Sequence, residues 1–134
     1  MISDILPLAV ASALGFLIGW ERERGGHYAG MRTNALVCLG ATAFVMLSLK
    51  LDDTSQSRVL GQVASGLGFI SGGVILKESG HISGLTTAAT IWISGAVGAT
   101  CGTGRYIEAF VIAALAIVIN LSKGLLNARP NNNS

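Results

Sequence analysis

Five long apolar stretches, separated by short polar segments, organise this chain. Glu108 is the one charged residue inside the stretches, which run from Ile5 to Trp20, Thr33 to Leu49, Val59 to Leu76, Ile82 to Gly104 and Tyr106 to Ser122. A helix needs ~20 apolar residues to cross the hydrocarbon of a bilayer. The pattern predicts an all-α polytopic membrane helix bundle with about five transmembrane helices. We expect this bundle to occupy residues 1–126, followed by a disordered polar tail at 127–134.

The composition agrees with a membrane location. Charged residues make up 12% of the 134 residues, which is too few to cover the surface of a small soluble domain. The 18 glycines are tolerated in membrane helices, where they let backbones approach closely. A net charge of +2 without a basic stripe argues against nucleic-acid binding. The first partner that the sequence predicts is therefore the lipid bilayer.

Signals for catalysis, cofactors and processing are missing from the sequence. No Ser/His/Asp order, P-loop or paired carboxylates appear, so we expect no enzyme activity, no catalytic residues and no cofactor. Cys38 and Cys101 lie in or beside apolar runs without CxxC spacing and are interpreted as reduced packing residues. The first apolar run lacks a basic n-region and a cleavage site, so it is expected to remain as the first helix.

The distribution of Lys and Arg predicts the orientation. If every stretch crosses the membrane, the segments between them lie alternately on its two sides. One side then carries six basic residues (Arg22, Arg24, Arg32, Lys77, Lys123 and Arg129) and the other carries three (Lys50, Arg58 and Arg105). This asymmetry favours an outside N-terminus and a cytoplasmic C-terminus.

A repeated helix–loop–helix hairpin is the second organising feature. Leu14 to Gly19 matches Leu67 to Gly72, and Gly26 to Ala35 matches Gly80 to Ala89, at offsets of 53 and 54 residues. We expect the two hairpins to enter from the same side and to be related by an axis along the membrane normal. Chance similarity between glycine-rich segments is the alternative.

Small residues recur at helical spacing on three stretches. These faces are Ala11, Gly15 and Gly19 on the first, Gly61, Ser65, Gly68 and Gly72 on the third, and Thr90, Ser94, Gly98 and Gly102 on the fourth. Such faces allow the close backbone packing on which helix association in lipid depends. Packing within the bundle or in a homodimer is the favoured interpretation, and a narrow pathway lined by backbone is the alternative.

Ionisable residues at the end of the first stretch are the first candidate site. Glu21 and Arg22 lie nearest the apolar run, and Arg32 opens the second stretch. Ionisable groups at membrane depth tend to pair or to mark a site. We expect a Glu21–Arg32 ion pair, with ligand or partner binding as the alternative, whereas Glu23 and Arg24 are interpreted as a solvated cap.

Polar residues near the starts of the second and fourth stretches extend this candidate site. Thr33, Asn34, Thr86 and Thr87 fall where free N–H groups favour an oxygen acceptor, so helix capping is expected and anion binding is the alternative. Gln62 and Asn120 lie within apolar runs and are expected to form interhelical hydrogen bonds.

Two histidines, His27 and His81, occupy matched loop positions and could share a metal with Glu21 or Glu78. Carboxylates are few, however, and magnesium prefers oxygen ligands, so no metal site is predicted.

The motifs together resemble the MgtC/SapB family of bacterial inner-membrane proteins. The resemblance covers about residues 8 to 122 and is carried by four segments: Gly19 to Arg24, Ala29 to Val37, Gln62 to Ile70 and Gly84 to Trp92. Read residue by residue, it implies a ligand- or partner-binding role for Glu21, Arg22, Arg32, Thr33, Gln62, Thr86, Thr87 and Trp92. Asn34 joins these candidates through its position near the start of the second stretch.

The resemblance also implies a location and a function. The family is a five-helix domain of the bacterial inner membrane, associated with magnesium-limited adaptation and with virulence. It implies a regulator of other membrane proteins, such as ATP synthase, with a magnesium or other cation transporter or channel as the alternative. Many members continue into a soluble C-terminal domain, which we expect this chain to lack.

Overall fold

Five helices form the structure, a computed structural model that describes residues 1–51 and 53–126. The helices are α1 (Ile2–Arg24), α2 (Met31–Ser48), α3 (Asp53–Gly72), α4 (Leu85–Gly102) and α5 (Tyr106–Leu126). A small hairpin of β1 (Leu76–Glu78) and β2 (His81–Ser83) joins α3 to α4. The prediction of an all-α bundle of five helices is confirmed. The predicted tail at 127–134 lies outside the described residues.

Three of these helices, α1, α2 and α5, are long and apolar enough to cross a membrane. Helix α1 has 23 residues, longer than its apolar stretch, because the helix continues through the charged run that ends at Arg24. Helices α3 and α4, which contain more Gly, Ser and Thr, are not among these three. That all five helices span the bilayer therefore stays a prediction.

Helix α2 lies between α1 and α4, and these three helices with α5 enclose the core. The core side chains are mostly small: Ala11, Leu14, Ile18, Cys38, Val97, Cys101, Ala109 and Ala113. Both cysteines are free and buried, as the sequence predicted.

Glycines on α1 and α4 let both helices pack closely against α2 and the loop before it. A Cβ on Gly15 would lie 2.6 Å from the carbonyl oxygen of Asn34, and one on Gly19 would overlap the carbonyl of Gly30. A Cβ on Gly98 would overlap the carbonyl of Cys38. Tight packing through the small faces of α1 and α4 is thereby confirmed.

The small face of α3 does not pack within the bundle. Leu67 and Ser71 are the buried residues of its described side chains, and space is open around Gly61, Gly68 and Gly72. The second hairpin is therefore more open than the first, since Gly68 and Gly72 correspond to the tightly packed Gly15 and Gly19. The predicted symmetry axis stays a prediction.

The connection between α3 and α4 corrects two predicted boundaries. The third stretch was expected to stay helical to Leu76 and the fourth to start at Ile82, yet both residues belong to strands. Ser79 and Gly80 both have positive φ (48° and 80°), which matches the two-residue turns that join antiparallel strands. This turn pairs Leu76 with Ser83 and Glu78 with His81.

Candidate functional site

Arg22, in the last turn of α1, points into the bundle. Only 2% of its surface is exposed, and its Nη2 donates a hydrogen bond to Oγ1 of Thr87 in the first turn of α4, at 3.0 Å. A charged side chain inside a membrane bundle is costly, and such residues usually pair or mark a functional site. Arg22 therefore connects the C-terminal end of α1 to the N-terminal end of α4 and is the centre of the candidate site.

Two polar atoms at this centre have no hydrogen-bond partner within the described chain. They are Nε of Arg22 and Oε2 of Glu21, and both are buried. Most buried polar atoms in proteins are paired with protein or water, so each unpaired one needs an explanation. A buried donor and a buried acceptor on consecutive residues are thus the atoms of this site that remain available for a hydrogen bond.

A second polar contact, between α2 and α4, lies about two turns beyond Thr87 along α4. Ser94 Oγ donates to Oδ1 of Asn34 at 2.8 Å, while Asn34 Nδ2 donates to the carbonyls of Ala29 and Gly30 at 2.7 and 2.9 Å. Asn34 is fully buried, and its amide fixes the loop before α2 relative to α4. The sequence analysis named Asn34 but assigned no site role to Ser94, whose small-residue spacing favoured packing.

Further along the α2–α4 contact, buried polar groups are also satisfied inside the bundle. Thr42 Oγ1 donates to the carbonyls of Cys38 and Gly98 at 2.7 and 2.8 Å. Asn120 Nδ2 on α5 donates to Oγ1 of Thr90 on α4 at 3.2 Å. This contact confirms the interhelical hydrogen bond expected of Asn120. These groups hold helices together.

The expected Glu21–Arg32 ion pair is wrong. Arg32 is exposed, and among the described residues the ion pairs are Met1–Asp4 and Arg105–Glu108. The buried face of α2 starts at Asn34 and Ala35; because Arg32 precedes Asn34 by two residues, it points about 200° away from that residue. Arg22, rather than Arg32, supplies the buried charge.

Glu23 has a role that the sequence analysis missed. Its Oε2 accepts a hydrogen bond from the backbone N–H of Met31 at 3.0 Å, so an acidic side chain from α1 satisfies the N-terminus of α2. A negative charge is favoured there by the helix dipole. This contact depends on how the loop between α1 and α2 folds back, and the sequence carries no signal for that fold. Glu23 was therefore interpreted as part of a solvated cap.

Helix capping by the threonines is also wrong. The N-cap residues of α2 and α4 are Gly30 and Gly84, which have no side chain to cap a helix. Thr87 instead accepts the Arg22 hydrogen bond, while Thr86 is exposed. Gly84 has φ of +84° at a close contact with the carbonyl of Val74, a conformation that favours glycine.

The other residues implied by the resemblance lie away from Arg22. Thr33 and Gln62 line an open groove of about 690 Å³ between α2 and α3. The interhelical hydrogen bond expected of Gln62 is not formed among the described residues. Trp92 is 50% exposed on α4. The structure thus joins Arg22 to Thr87, with Glu21 next to Arg22 in α1, and it leaves Arg32, Thr86 and Trp92 exposed.

The matched histidines do not come together with carboxylates in the described residues, where no group of three potential metal ligands forms. His27 Nδ1 lies 2.8 Å from the carbonyl oxygen of Gly25, and His81 is exposed on β2.

Comparison with known proteins places this sequence in a family. The family model described as the MgtC family matches residues 8–129. An uncharacterized protein of Synechocystis is 45% identical over 120 residues, which cover 89% of this chain and 51% of that protein. No solved structure matches.

Several relatives carry the name protein MgtC, among them one from Salmonella typhimurium and one from Brucella abortus. The one from Salmonella typhimurium is 40% identical over 121 residues, which cover 90% of this chain and 52% of the relative. The one from Brucella abortus is 47% identical over 114 residues, covering 84% and 48%. The chain therefore spans about half the length of these curated relatives, and the resemblance found in the sequence is confirmed.

Proposed function

This chain belongs to the MgtC family of membrane proteins, and on that premise we propose that it is a bacterial inner-membrane regulator. It acts on other membrane proteins, with ATP synthase as the candidate target, during adaptation to low magnesium. It performs no catalysis. Its N-terminus lies outside and its C-terminus in the cytoplasm.

One contrast carries the proposal. The buried hydroxyl and amide groups are hydrogen-bonded inside the bundle, whereas most of the described surface of α3 is exposed. A cation channel needs a polar lining or rings of coordinating oxygens. Here the buried hydroxyl and amide groups of Asn34, Thr42, Thr90 and Ser94 are engaged in hydrogen bonds within the bundle. Helix α3, by contrast, leaves most of its described surface free, and such a surface supports contact with another membrane protein.

A second copy of the chain is one partner that α3 can accept. The exposed face with Gly61, Ser65, Gly68 and Gly72 lets another backbone approach closely, because open space surrounds its glycines. A homodimer through α3 is therefore part of the proposal.

The test compares ion flux with regulation in the same membranes. The purified chain is reconstituted in liposomes, and magnesium entry is followed with an enclosed magnesium-sensitive dye. It is then co-reconstituted with ATP synthase, and ATP-driven proton pumping is measured. We expect no magnesium entry above that of empty liposomes and a dose-dependent decrease in pumping.

A matched pair of variants links the effect to α3. Gly68→Leu adds a side chain on the open face of α3, and Ala114→Leu adds one on an exposed face of α5. Gly68→Leu should relieve the inhibition of pumping while Ala114→Leu should not. Saturable magnesium entry without an effect on pumping would instead support the transporter alternative.

A further inference from the structure

The groove between α2 and α3 has a polar end and an apolar remainder. Arg58 and Gln62 line it on α3, four residues apart, so Gln62 lies one turn (~6 Å) deeper along the helix than Arg58. Beyond Gln62 the α3 wall continues through Gly66 and Ile70. The facing wall on α2 is apolar from Phe44 to Leu36 and ends at Thr33.

The length of the groove is that of one lipid leaflet. Thr33 and Phe44 are eleven residues apart on α2, a distance of ~16 Å at the rise of an α-helix. Half of the hydrocarbon thickness of a bilayer is about 15 Å. An extended acyl chain that starts near Arg58 and Gln62 would therefore follow the groove to its other end.

From this order of groups we propose that the groove binds a membrane phospholipid, with its phosphate at Arg58, its glycerol esters at Gln62 and one acyl chain along the apolar walls. The guanidinium of Arg58 supplies charge-assisted hydrogen bonds to phosphate oxygens. The Gln62 amide donates to ester carbonyls one turn deeper. Basic pockets between membrane helices bind lipid headgroups on the cytoplasmic side of membranes, and Arg58 offers the same chemistry in the other leaflet.

Glycines keep the groove open for this occupant. Gly40 on α2 and Gly66 on α3 both line it, and a Cβ at either position would meet nothing within 4 Å. The opposite side of α3 carries Gly61, which is equally open but does not line the groove. The chain thus offers matched substitutions that fill the groove or leave it unchanged.

The first test measures lipid binding to the purified chain. Dioleoyl phosphatidylglycerol is titrated into the protein in mild detergent, and bound lipid is counted by native mass spectrometry. Gly66→Leu and Gly40→Leu should each weaken binding about tenfold, as expected from displaced apolar contacts, whereas Gly61→Leu should bind like wild type. Size-exclusion elution and thermal unfolding show that each compared variant is folded, and Gly66→Leu, on the loosely packed helix, carries the test if Gly40→Leu fails to fold.

The second test concerns the headgroup. Dioleoylglycerol, which lacks the phosphate, should bind wild type about tenfold more weakly than phosphatidylglycerol, the ratio expected for one charge-assisted hydrogen bond. Arg58→Gln should remove this difference by weakening phosphatidylglycerol alone.

Three results would overturn the proposal. The first is equal lipid binding by wild type and Gly66→Leu. The second is an equal loss in Gly66→Leu and Gly61→Leu, which indicates lipid bound to the general surface. The third is a dimer that Gly66→Leu dissociates without any loss of lipid, which assigns the groove to a second copy of the chain.

Discussion

Nη2 of Arg22 on α1 donates to Oγ1 of Thr87 on α4 across 3.0 Å, and both side chains are buried. The two residues are 65 positions apart, so this bond joins the two sequence repeats at one end of the bundle. The threonine hydroxyl compensates only part of the arginine, because Nε remains without a partner in the described chain. The two residues should therefore respond differently to substitution.

Thr87→Val should destabilise the bundle by ~2–3 kcal/mol. The change keeps the shape of the side chain but removes the acceptor and leaves a buried cation with less compensation, the costly way to break such a contact. Thermal unfolding of the detergent-purified protein measures the effect. Thr86→Val is the matched control, because Thr86 is exposed, and it should unfold like wild type. Equal stability of both variants would contradict a stabilising role for the Arg22–Thr87 bond.

Arg22→Met should change the free energy of unfolding by less than ~1 kcal/mol, since it removes a buried charge together with its desolvation cost. It should nevertheless abolish the inhibition of proton pumping, because the site loses its donor. Arg32→Met, on the exposed side of α2, should preserve both properties. A fully active Arg22→Met protein would show that the buried guanidinium serves only packing.

The contrast between Arg22 and Arg32 shows how far the sequence could predict this site. The segments that carry the resemblance contain Arg22 and Thr87, which the structure joins, and Asn34, which links α2 to α4 about two turns further along α4. Which partner each side chain contacts depends on how its helix is rotated about its own axis, and the sequence did not show that rotation. A shift of two residues along α2 separates the buried Asn34 from the exposed Arg32, and nothing in the apolar pattern distinguished the two.

Helix α3 shows the corresponding limit for the fold. Its length, its apolar run and its glycine spacing were all visible in the sequence, and they matched those of α1. The same spacing packs against a neighbour in α1 and faces outward in α3. Spacing predicts that a backbone can be approached closely, but whether the approaching helix belongs to the same bundle depends on packing that a single helix does not encode.

Gly98→Ala should destabilise the protein by ~1–3 kcal/mol, the usual cost of overpacking a close contact. The added Cβ would overlap the backbone of Cys38, which cannot rotate away as a side chain could, so α2 and α4 must separate. Gly68→Ala makes the same chemical change on the open face of α3 and should leave the unfolding temperature unchanged. The yield of monodisperse protein and thermal unfolding report both effects. A stable Gly98→Ala protein would mean that the α2–α4 contact is looser than described.

The orientation of the chain can be tested without a cysteine-free background. Cys38 and Cys101 are fully buried, so a membrane-impermeant maleimide should leave them unlabelled in the folded protein. Tyr28→Cys lies between α1 and α2, where the native side chain is 83% exposed, and Thr103→Cys lies between α4 and α5, where Thr103 is also exposed.

With an outside N-terminus and five membrane crossings, position 28 faces the cytoplasm and position 103 faces outward. In intact spheroplasts the reagent should therefore label Thr103→Cys, and it should label Tyr28→Cys only after the membrane is opened. The reverse pattern would show that the Lys/Arg asymmetry misassigned the orientation, and labelling of both positions in intact cells would show that the number of crossings between them is even.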